Sequence, residues 1–233
     1  HIELAKPVFH PGFLKKVKKL LEIVCHNCSR ILLDKSHDQY LKAAAIRDPK
    51  RRFDAIWKCC KAKMVCESDI SMDDEGLNAN PKEAAKRSHG GCGNLQPEVR
   101  QTALQLWGTW KLPKDEAGDA VLPEKKQITP EMALQIFKGM LTEEITELGL
   151  NADYARPEWM IVTVLPVPPP PVRPSISMDG TSQGMRGEDD LTYKLGDIIR
   201  ANGNVRQAHQ EGAPGHISSD FEALLQYHVA TYM

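Results

Sequence analysis

Apolar residues recur at helical spacing over much of the chain. In the first such stretch, five apolar residues share one helical face and lysines occupy the other: Phe13, Val17, Leu20, Leu21 and Val24. This spacing predicts a helix over about 12–24. Similar patterns, with Asp, Thr or Pro as start signals, predict four further helices: near 37–47, from Asp48-Pro49 onward, from Thr129 to about Met140, and from Thr142 to Gly149.

Strand patterns are fewer. Apolar and polar residues alternate between Val99 and Lys111, which predicts a strand or hairpin with Gly108 as a possible bulge. A short apolar run, Met160 to Leu165, predicts a buried strand. Residues 67–91 are polar and 112–127 lack a period, so both are predicted to be surface loops.

Four consecutive prolines, Pro168 to Pro171, follow the second predicted strand. Proline has a fixed φ and no backbone N–H, so this run favours an extended polyproline II rod of about 3.1 Å per residue. A Pro-rich linker, or a ligand for SH3-type domains, is the alternative interpretation. The Gly- and Ser-rich residues 175–190 are predicted to form an exposed loop.

The last forty residues carry a heptad pattern. Steps of four and three separate six positions: Leu191, Leu195, Ile198, Asn202, Val205 and His209. After a break at 212–215, the same steps resume at Ile217, Phe221, Leu224 and His228. This predicts an antiparallel helical hairpin, or coiled coil, with Asn202 fixing its register. Two separate amphipathic helices on a core are the alternative. The overall prediction is a mainly helical α+β fold with short antiparallel strands.

Charge is unevenly distributed along these elements. The net charge is −1, but residues 1–66 hold fifteen Lys or Arg and only six Asp or Glu. Such a basic surplus suits a phosphate backbone or an acidic partner. A solvated helix face is the alternative for Lys15, Lys16, Lys18 and Lys19. No run of eighteen apolar residues predicts a membrane span. Because the chain starts without Met and stops inside a helical pattern, we expect a piece of a longer polypeptide.

Six cysteines supply the candidate chemistry: Cys25, Cys28, Cys59, Cys60, Cys66 and Cys92. No secretory signal is evident, which disfavours disulfides. Cys25 and Cys28 have the C-x-x-C spacing of a metal-binding turn, and the glycines around Cys92 allow a similar turn. Thiol redox chemistry is the competing use of C-x-x-C, but no β-α-β pattern surrounds it.

The fourth ligand is open among Cys59, Cys60 and Cys66. On a helix, Cys60 shares the apolar face with Phe53 and Ile56 and so points toward the packed side. Four protein ligands would leave no open position for water, so a zinc ion here would be structural.

No catalytic motif is found in the sequence. A P-loop, a dinucleotide-binding glycine fingerprint and a Gly-x-Ser-x-Gly elbow are all missing. The acidic runs Asp73-Asp74-Glu75 and Glu188-Asp189-Asp190 fall in predicted loops without a positioned partner. We therefore expect a non-catalytic segment.

Five long stretches carry a family resemblance: His1–Glu22, His89–Pro97, Pro157–Ser177, Arg186–Leu195 and Leu224–Met233. They resemble, in the same order, the clamp region of the largest subunit of a eukaryotic, fungal RNA polymerase II. In that family a clamp zinc is held by four cysteines, and the match implies Cys25, Cys28, Cys60 and Cys92. The family's catalytic Mg²⁺ is bound through a DFDGD motif that this sequence lacks, so Mg²⁺ is implied only for the parent enzyme.

The resemblance also implies a division of labour along the chain. Residues 1–165 match the clamp head, 166–189 the proline arm and a lid-like loop, and 190–233 the clamp coiled coil. The clamp closes over DNA and the DNA–RNA hybrid in the nucleus, in contact with other polymerase subunits and with no membrane. Candidate nucleic-acid contacts are Lys15, Lys16, Lys18, Lys19 and Arg186. Candidate contacts to TFIIB/TFIIE-type initiation factors and a NusG-type elongation factor are Arg200, Asn202, Arg206 and Gln210.

Two other hypotheses fit parts of the sequence. One is a free-standing zinc scaffold that recruits proteins without a nucleic-acid role. The other is the equivalent region of RNA polymerase I, RNA polymerase III or an archaeal enzyme.

Overall fold

The structure is a computed structural model. It describes residues 1–33, 37–66, 91–111, 122–178, 180 and 184–233. These form two compact units. We call Phe13–Met160 the cysteine unit, and His1–Gly12 together with Ile161–Met233 the two-helix unit. This division differs from the predicted segment boundaries, because the N-terminal strand pairs with the strand that follows residue 160.

Among the described residues, five helices belong to the cysteine unit: α1 (Leu14–Leu21), α2 (Asp38–Ala44), α3 (Pro49–Cys60), α4 (Pro130–Lys138) and α5 (Thr142–Glu147). Their start signals act as predicted for two of them. Asp48 caps α3 by accepting a hydrogen bond from the Lys50 N–H, and Thr129 caps α4 by accepting one from the Met132 N–H. Thr142 is instead the first residue of α5, and Leu141 occupies the cap position.

The core of the cysteine unit contains four of the five predicted apolar residues of the first helical pattern, whereas Phe13 is 46% exposed. Eight of its fully buried side chains are Val17, Leu20, Leu21, Ile23, Ile56, Phe137, Ile145 and Leu148. A short 3-10 helix, Pro157–Met160, closes the unit and contacts α1 and α4. Burying a large aliphatic or aromatic side chain contributes about 1.5–3 kcal/mol, so this core stabilises the unit substantially.

A three-stranded antiparallel sheet completes the cysteine unit. Its strands are β2 (Glu98–Thr102), β3 (Gln105–Trp110) and β4 (Glu124–Ile128), in the order β2-β3-β4. The hairpin predicted for 99–111 is confirmed. The loop predicted for 112–127 is wrong for 124–127, which lie in an edge strand. Four of the five residues of β4 are exposed, so the strand has no apolar alternation to reveal it.

Gly108 is not a bulge. The register is continuous past it, with Val99 opposite Gly108 on one side and Lys126 on the other. A Cβ at this position would lie 2.8 Å from the Trp110 ring. The glycine therefore makes room for a packed indole.

The two-helix unit contains β1 (Ile2–Phe9), β5 (Ile161–Leu165), α6 (Asp190–Gln210) and α7 (Gly215–Tyr232). β1 pairs antiparallel with β5, with a register shift between Glu3 and Val8. The predicted strand is confirmed as β5, which begins at Ile161, but it is not buried throughout, because Thr163 and Val164 are exposed. Eight buried residues form the core of this unit: Val8, Leu165, Leu195, Ile198, Ala201, Val205, Leu225 and Val229.

Two side-chain amides bind β1 to the helices. Asn202 accepts a hydrogen bond from the Ala5 N–H (2.6 Å) and donates one to the Glu3 carbonyl (2.9 Å). Gln226 accepts from the Phe9 N–H (2.7 Å) and donates to the Phe9 carbonyl (2.9 Å). The predicted role of Asn202 in setting the register between two helices is therefore wrong. Its amide instead satisfies backbone groups of β1.

α6 and α7 pack on each other after a four-residue turn. The predicted apolar positions Leu195, Ile198 and Val205 of α6 are buried, whereas His209 is exposed. In α7, Phe221 packs against the core as predicted, but the next two predicted positions are wrong by one residue, because Leu225 and Val229 are buried while Leu224 is 42% exposed. Coiled-coil packing of the pair stays a prediction.

The proline segment does not continue as a straight rod. Pro170–Val172 form one turn of 3-10 helix, and Val167 packs against the core of the unit. Arg173 donates to the Pro168 carbonyl (3.0 Å) and to the Thr192 hydroxyl (3.3 Å) on α6. The chain therefore folds back toward α6, which corrects the predicted polyproline II arm.

The predicted open loop 175–190 contains a two-residue antiparallel ladder. Its strands are β6 (Ile176–Ser177) and β7 (Arg186–Gly187). Residues 179 and 181–183 of this loop lie outside the described residues, as does the predicted acidic cluster Asp73-Asp74-Glu75. In the part of the chain that the structure describes, no helix has the length and apolar character needed to cross a membrane.

Candidate metal centre

The first half of the site is a tight turn that follows α1. Val24 and Ile31 form an isolated antiparallel bridge. Within it, the Cys25 N–H donates to the Arg30 carbonyl (2.8 Å) and the Ser29 N–H to the Cys25 carbonyl (3.1 Å). Ser29 adopts a positive φ of 61°, which reverses the chain just after Cys28. This geometry directs both sulfurs of the C-x-x-C pair to one side.

The second half is built from two segments that are far apart in sequence. Val65 bridges to Leu95, and the Cys66 N–H donates to the Asn94 carbonyl (3.0 Å). Gly93 has a φ of 74°, a conformation that glycine adopts without steric cost. Cys66 and Cys92 are thereby placed side by side.

Four sulfurs meet between the two halves. The Sγ atoms of Cys25, Cys28, Cys66 and Cys92 all lie within 4.8 Å of one another. Cys25 and Cys92 are 3.5 Å apart, and Cys28 and Cys66 are 3.7 Å apart. A tetrahedral site with metal–sulfur bonds of about 2.3 Å has sulfur–sulfur edges of about 3.8 Å. The cluster has the dimensions to hold one metal ion such as zinc.

Cys66, not Cys60, is the fourth member of this cluster, which corrects the predicted set. Cys60 is the last residue of α3 and lies on its buried face with Phe53 and Ile56. Burial raises the pKa of its thiol to about 12, as burial also raises the pKa of Cys66, so the position of Cys60 outside the four-sulfur cluster is what excludes it. The prediction placed Cys60 on the packed side correctly, but that side is the hydrophobic core. Cys59 also lies outside the cluster.

Side-chain amides donate hydrogen bonds to two of the sulfurs. Gln96 Nε2 lies 3.2 Å from Cys25 Sγ, and Asn94 Nδ2 lies 3.1 Å from Cys92 Sγ. Gln96 is only 4% exposed, and its Oε1 accepts from the His26 N–H (2.9 Å). Such donors around metal ligands orient the sulfurs and stabilise their negative charge. Sequence reasoning missed both residues, although two amides just after Cys92 were a usable signal.

The local environment shifts the pKa values of the cluster thiols in different directions. Burial raises the pKa of Cys28 to about 11 and also raises that of Cys66. Burial pushes the pKa of the exposed Cys92 upward as well, but hydrogen bonds from Asn94 outweigh it and lower this pKa to about 7. Thiolates this close repel one another, and a divalent cation would offset that repulsion.

The whole chain, including the four cysteines of the cluster, matches one protein-family model. The model of the family described as RNA polymerase Rpb1, domain 1, matches residues 1–233. The chain belongs to the RNA polymerase Rpb1 domain 1 family. Its resemblance to the largest polymerase subunit is thereby confirmed at the level of the family. The eukaryotic, fungal and polymerase II assignments stay predictions.

Membership of the Rpb1 domain 1 family makes the chain part of the largest subunit of a DNA-directed RNA polymerase, a nucleotidyltransferase that carries out transcription. It implies association with other polymerase subunits and with nucleic acid. It also suggests a nuclear or genome-associated enzyme.

Three of the four lysines predicted to contact nucleic acid in this family member make contacts within the cysteine unit. Lys16 Nζ lies 2.9 Å from the centroid of the Phe53 ring, and burial lowers its pKa to about 8. Lys18 pairs with Glu22 at 3.5 Å. Lys19 pairs with Asp54 at 2.8 Å, and its Nζ lies 4.6 Å from the Trp57 ring centroid. The contacts of Lys16 and Lys19 join α1 to α3, and the Lys18–Glu22 pair lies at the C-terminal end of α1. Lys15 is exposed.

The predicted factor contacts fall on α6 of the Rpb1-family chain. Arg200 is exposed and pairs with Asp197 at 2.6 Å, and Arg206 and Gln210 are also exposed. Asn202 is 6% exposed and is occupied by β1, so it is removed from the set of candidate contacts. Arg186 is exposed on β7.

Proposed function

We propose that this chain is the clamp of the largest subunit of RNA polymerase II, with a cysteine unit stabilised by a structural zinc ion. The four-sulfur cluster is the observation that carries the proposal, because it matches the closed thiolate site that such a clamp needs. The match of the whole chain to the Rpb1 domain 1 family supports the assignment.

Zinc is the metal that the ligand set favours. Thiolates are soft ligands, and four of them at tetrahedral spacing select zinc over the hard cations calcium and magnesium. Cys25, Cys28, Cys66 and Cys92 would fill its coordination shell, so the ion would stabilise the fold and not activate water. It would link the turn after α1 to the segments around residues 66 and 92.

The clamp acts by position and charge. It closes over DNA and the DNA–RNA hybrid in the nucleus of an organism that the resemblance identifies as fungal, while Mg²⁺-dependent synthesis takes place elsewhere in the parent enzyme. Lys15 and Arg186 are the predicted nucleic-acid contacts that the structure leaves most exposed. Ligands that bind the closed form better shift the population toward it.

The surface of α6 and α7 is proposed to dock transcription factors. Besides Arg200 and Arg206, large apolar side chains are exposed here, among them Ile199, Leu224 and Tyr227. Exposed apolar groups beside arginines are typical of protein interfaces. The proposed partners are TFIIB/TFIIE-type initiation factors and a NusG-type elongation factor.

A salt titration tests the clamp proposal. The purified, zinc-loaded chain is mixed with a fluorescent DNA–RNA scaffold, and binding is measured over a range of salt concentrations. Phosphate contacts release counterions, so we expect affinity to fall steeply with salt. Binding that persists at high salt, or no binding, would contradict the clamp proposal and favour a free-standing zinc scaffold for proteins.

A further inference from the structure

One face of the three-stranded sheet carries polar, charged and aromatic side chains. Side chains alternate across a sheet, and Val99, Leu106 and Ile128 are buried on its inner side. The strand register places eight residues on the opposite side, which we call the outer sheet face: Glu98, Arg100, Thr102, Gln105, Trp107, Thr109, Lys125 and Gln127. None of these eight is aliphatic.

Trp107 lies at the centre of the outer sheet face. Arg100 lies directly opposite it on β2, and Gln127 directly opposite it on β4. Lys125 Nζ lies over the Trp107 ring, 4.9 Å from the ring centroid, so an ammonium group covers the face of the ring. The Trp107 side chain is half-buried, and displacement of the flexible Lys125 side chain would open a flat face of the indole for stacking.

The charges around Trp107 favour an anionic ligand. Glu98 is neutralised twice, by Arg100 at 2.9 Å and by Lys111 at 3.5 Å, and these hydrogen bonds and charges lower the pKa of its carboxyl. Lys125 has its contact to the indole, with no carboxylate partner among the ion pairs of the described residues. The outer sheet face and its rim therefore carry a positive surplus.

We propose that the outer sheet face binds single-stranded nucleic acid, with one base stacked on Trp107 and adjacent phosphates held by Lys125 and Arg100. Stacking requires a base whose flat face is free, which a duplex does not offer. The ammonium of Lys125 moves from the ring to a phosphate and exposes the indole as it does so. Gln105 and Gln127 are placed beside the ring to hydrogen-bond base edges.

A protein partner fits this face less well. Protein interfaces have an apolar centre, and the outer sheet face offers a single aromatic ring surrounded by Thr, Gln and charged groups. Neutral polar groups around one stacking ring and two cations are the composition of a strand-binding surface. This inference rests on the proposed function, because it assumes that the parent enzyme handles nucleic-acid strands.

Fluorescence anisotropy with short oligonucleotides tests the proposal. The zinc-loaded chain is titrated with a mixed-sequence single strand, as RNA and as DNA, and with the matching duplex. We expect tighter binding to the single strand and, for Trp107→Ala, a loss of about tenfold. Trp107→Phe retains a stacking ring and should keep most of the affinity. Zinc content and circular dichroism show whether each variant is folded.

Two lysines on the same strand provide a matched pair. Lys125→Gln removes the proposed phosphate contact and should reduce the slope of log K against log salt by about 0.7, the value for one single-strand phosphate. Lys126 lies on β4 next to it, opposite Gly108 and so on the other side of the sheet, and Lys126→Gln should leave the slope close to that of the wild type.

Three results would overturn the proposal: equal binding of single strand and duplex, unchanged affinity in folded Trp107→Ala, or competition by an acidic peptide as effective as that by the oligonucleotide. The last result would assign the face to proteins. Steep salt dependence on the DNA–RNA scaffold together with an unaffected Trp107→Ala variant would reject this inference alone and leave the clamp proposal standing.

Discussion

At the scale of single residues, the position of a cysteine in its local element decides what its thiol can do. Cys60 and Cys66 are six residues apart, and both are fully buried. Cys60 ends α3 and faces the core, whereas Cys66 follows Val65, which pairs with Leu95 and so brings the sulfur to Cys92. The pairing of residues 65 and 95 is a long-range event that local apolar spacing does not contain.

Metal analysis of two variants distinguishes these cysteines. Cys66→Ser removes a sulfur of the cluster, so we expect the purified chain to lose its zinc. Cys60→Ser removes a buried thiol outside the cluster and should retain one zinc ion per chain with a modest loss of stability. Mass spectrometry of bound metal checks both, with Cys59→Ser as the control. Zinc retained in Cys66→Ser and lost in Cys60→Ser would restore the set implied by the resemblance.

The amide of Gln96 gives a second residue-scale prediction. Gln96→Met has a similar volume but cannot donate to Cys25 Sγ or accept from the His26 N–H. Loss of such a hydrogen bond beside a ligand weakens metal affinity by roughly 10–100-fold. Competition with a chromophoric chelator measures this. Gln101→Met is the matched control, because Gln101 is exposed and its side chain donates to the nearby Ala103 carbonyl, away from the sulfur cluster. Equal affinities for both variants would contradict the prediction.

The half-buried ammonium of Lys16 predicts a pH effect. Burial lowers its pKa from 10.5 to about 8 in the folded state. Between these two pH values the unfolded chain binds more protons than the folded chain. The contribution of Lys16 to the free energy of unfolding therefore increases as the pH rises from about 8 to about 10. Lys16→Met removes the contribution.

Urea unfolding at several pH values measures the Lys16 effect. Relative to Lys16→Met, the wild type should have a free energy of unfolding that increases from about pH 8 to about pH 10. Comparing two chains cancels the titration of the cysteines, which both share. A difference that is constant over this range would show that the Lys16 ammonium does not titrate abnormally.

At the scale of elements, the spacing of apolar residues predicted the helices and strands that bury a continuous face, and it missed the strands that do not. α1, α3 and α4 each carry such a face, and their capping residues lie where the sequence placed them for α3 and α4. β1 was not predicted because Lys6-Pro7 interrupts its alternation at the register shift. β4 was missed because only Ile128 of its five residues is buried.

The attachment of β1 to the helices depends on two amides that no periodicity reveals. Asn202→Ala removes two half-buried hydrogen bonds, from the Ala5 N–H and to the Glu3 carbonyl, and the net contribution of such a bond is about 0.5–1.5 kcal/mol. We therefore expect faster hydrogen exchange in residues 2–9 and a lower free energy of unfolding. Asn204→Ala, two residues along α6 and exposed, should change neither. Identical exchange in both variants would show that Asn202 is not an anchor of β1.

At the scale of the whole molecule, the two units have separate sources of stability. The core of the two-helix unit is made entirely of its own residues. The cysteine unit instead combines helix packing with a cluster that joins segments near residues 25, 66 and 92. The sequence indicated a metal and three of the four cysteines. The fourth cysteine, the amide donors and the division into units all depend on long-range pairing, which local patterns do not encode.

Removing the metal should therefore affect one unit and spare the other. Structural zinc sites contribute on the order of 10 kcal/mol to the folding of small modules, since the apo ligands have no fixed arrangement. With a strong chelator, we expect amide hydrogen exchange to accelerate in residues 23–32, 64–66 and 91–96, while β1, β5, α6 and α7 keep their protection. Re-addition of zinc, but not of magnesium, should restore slow exchange. If the chelator accelerated exchange equally in both units, or in neither, the cluster would not be a local source of stability.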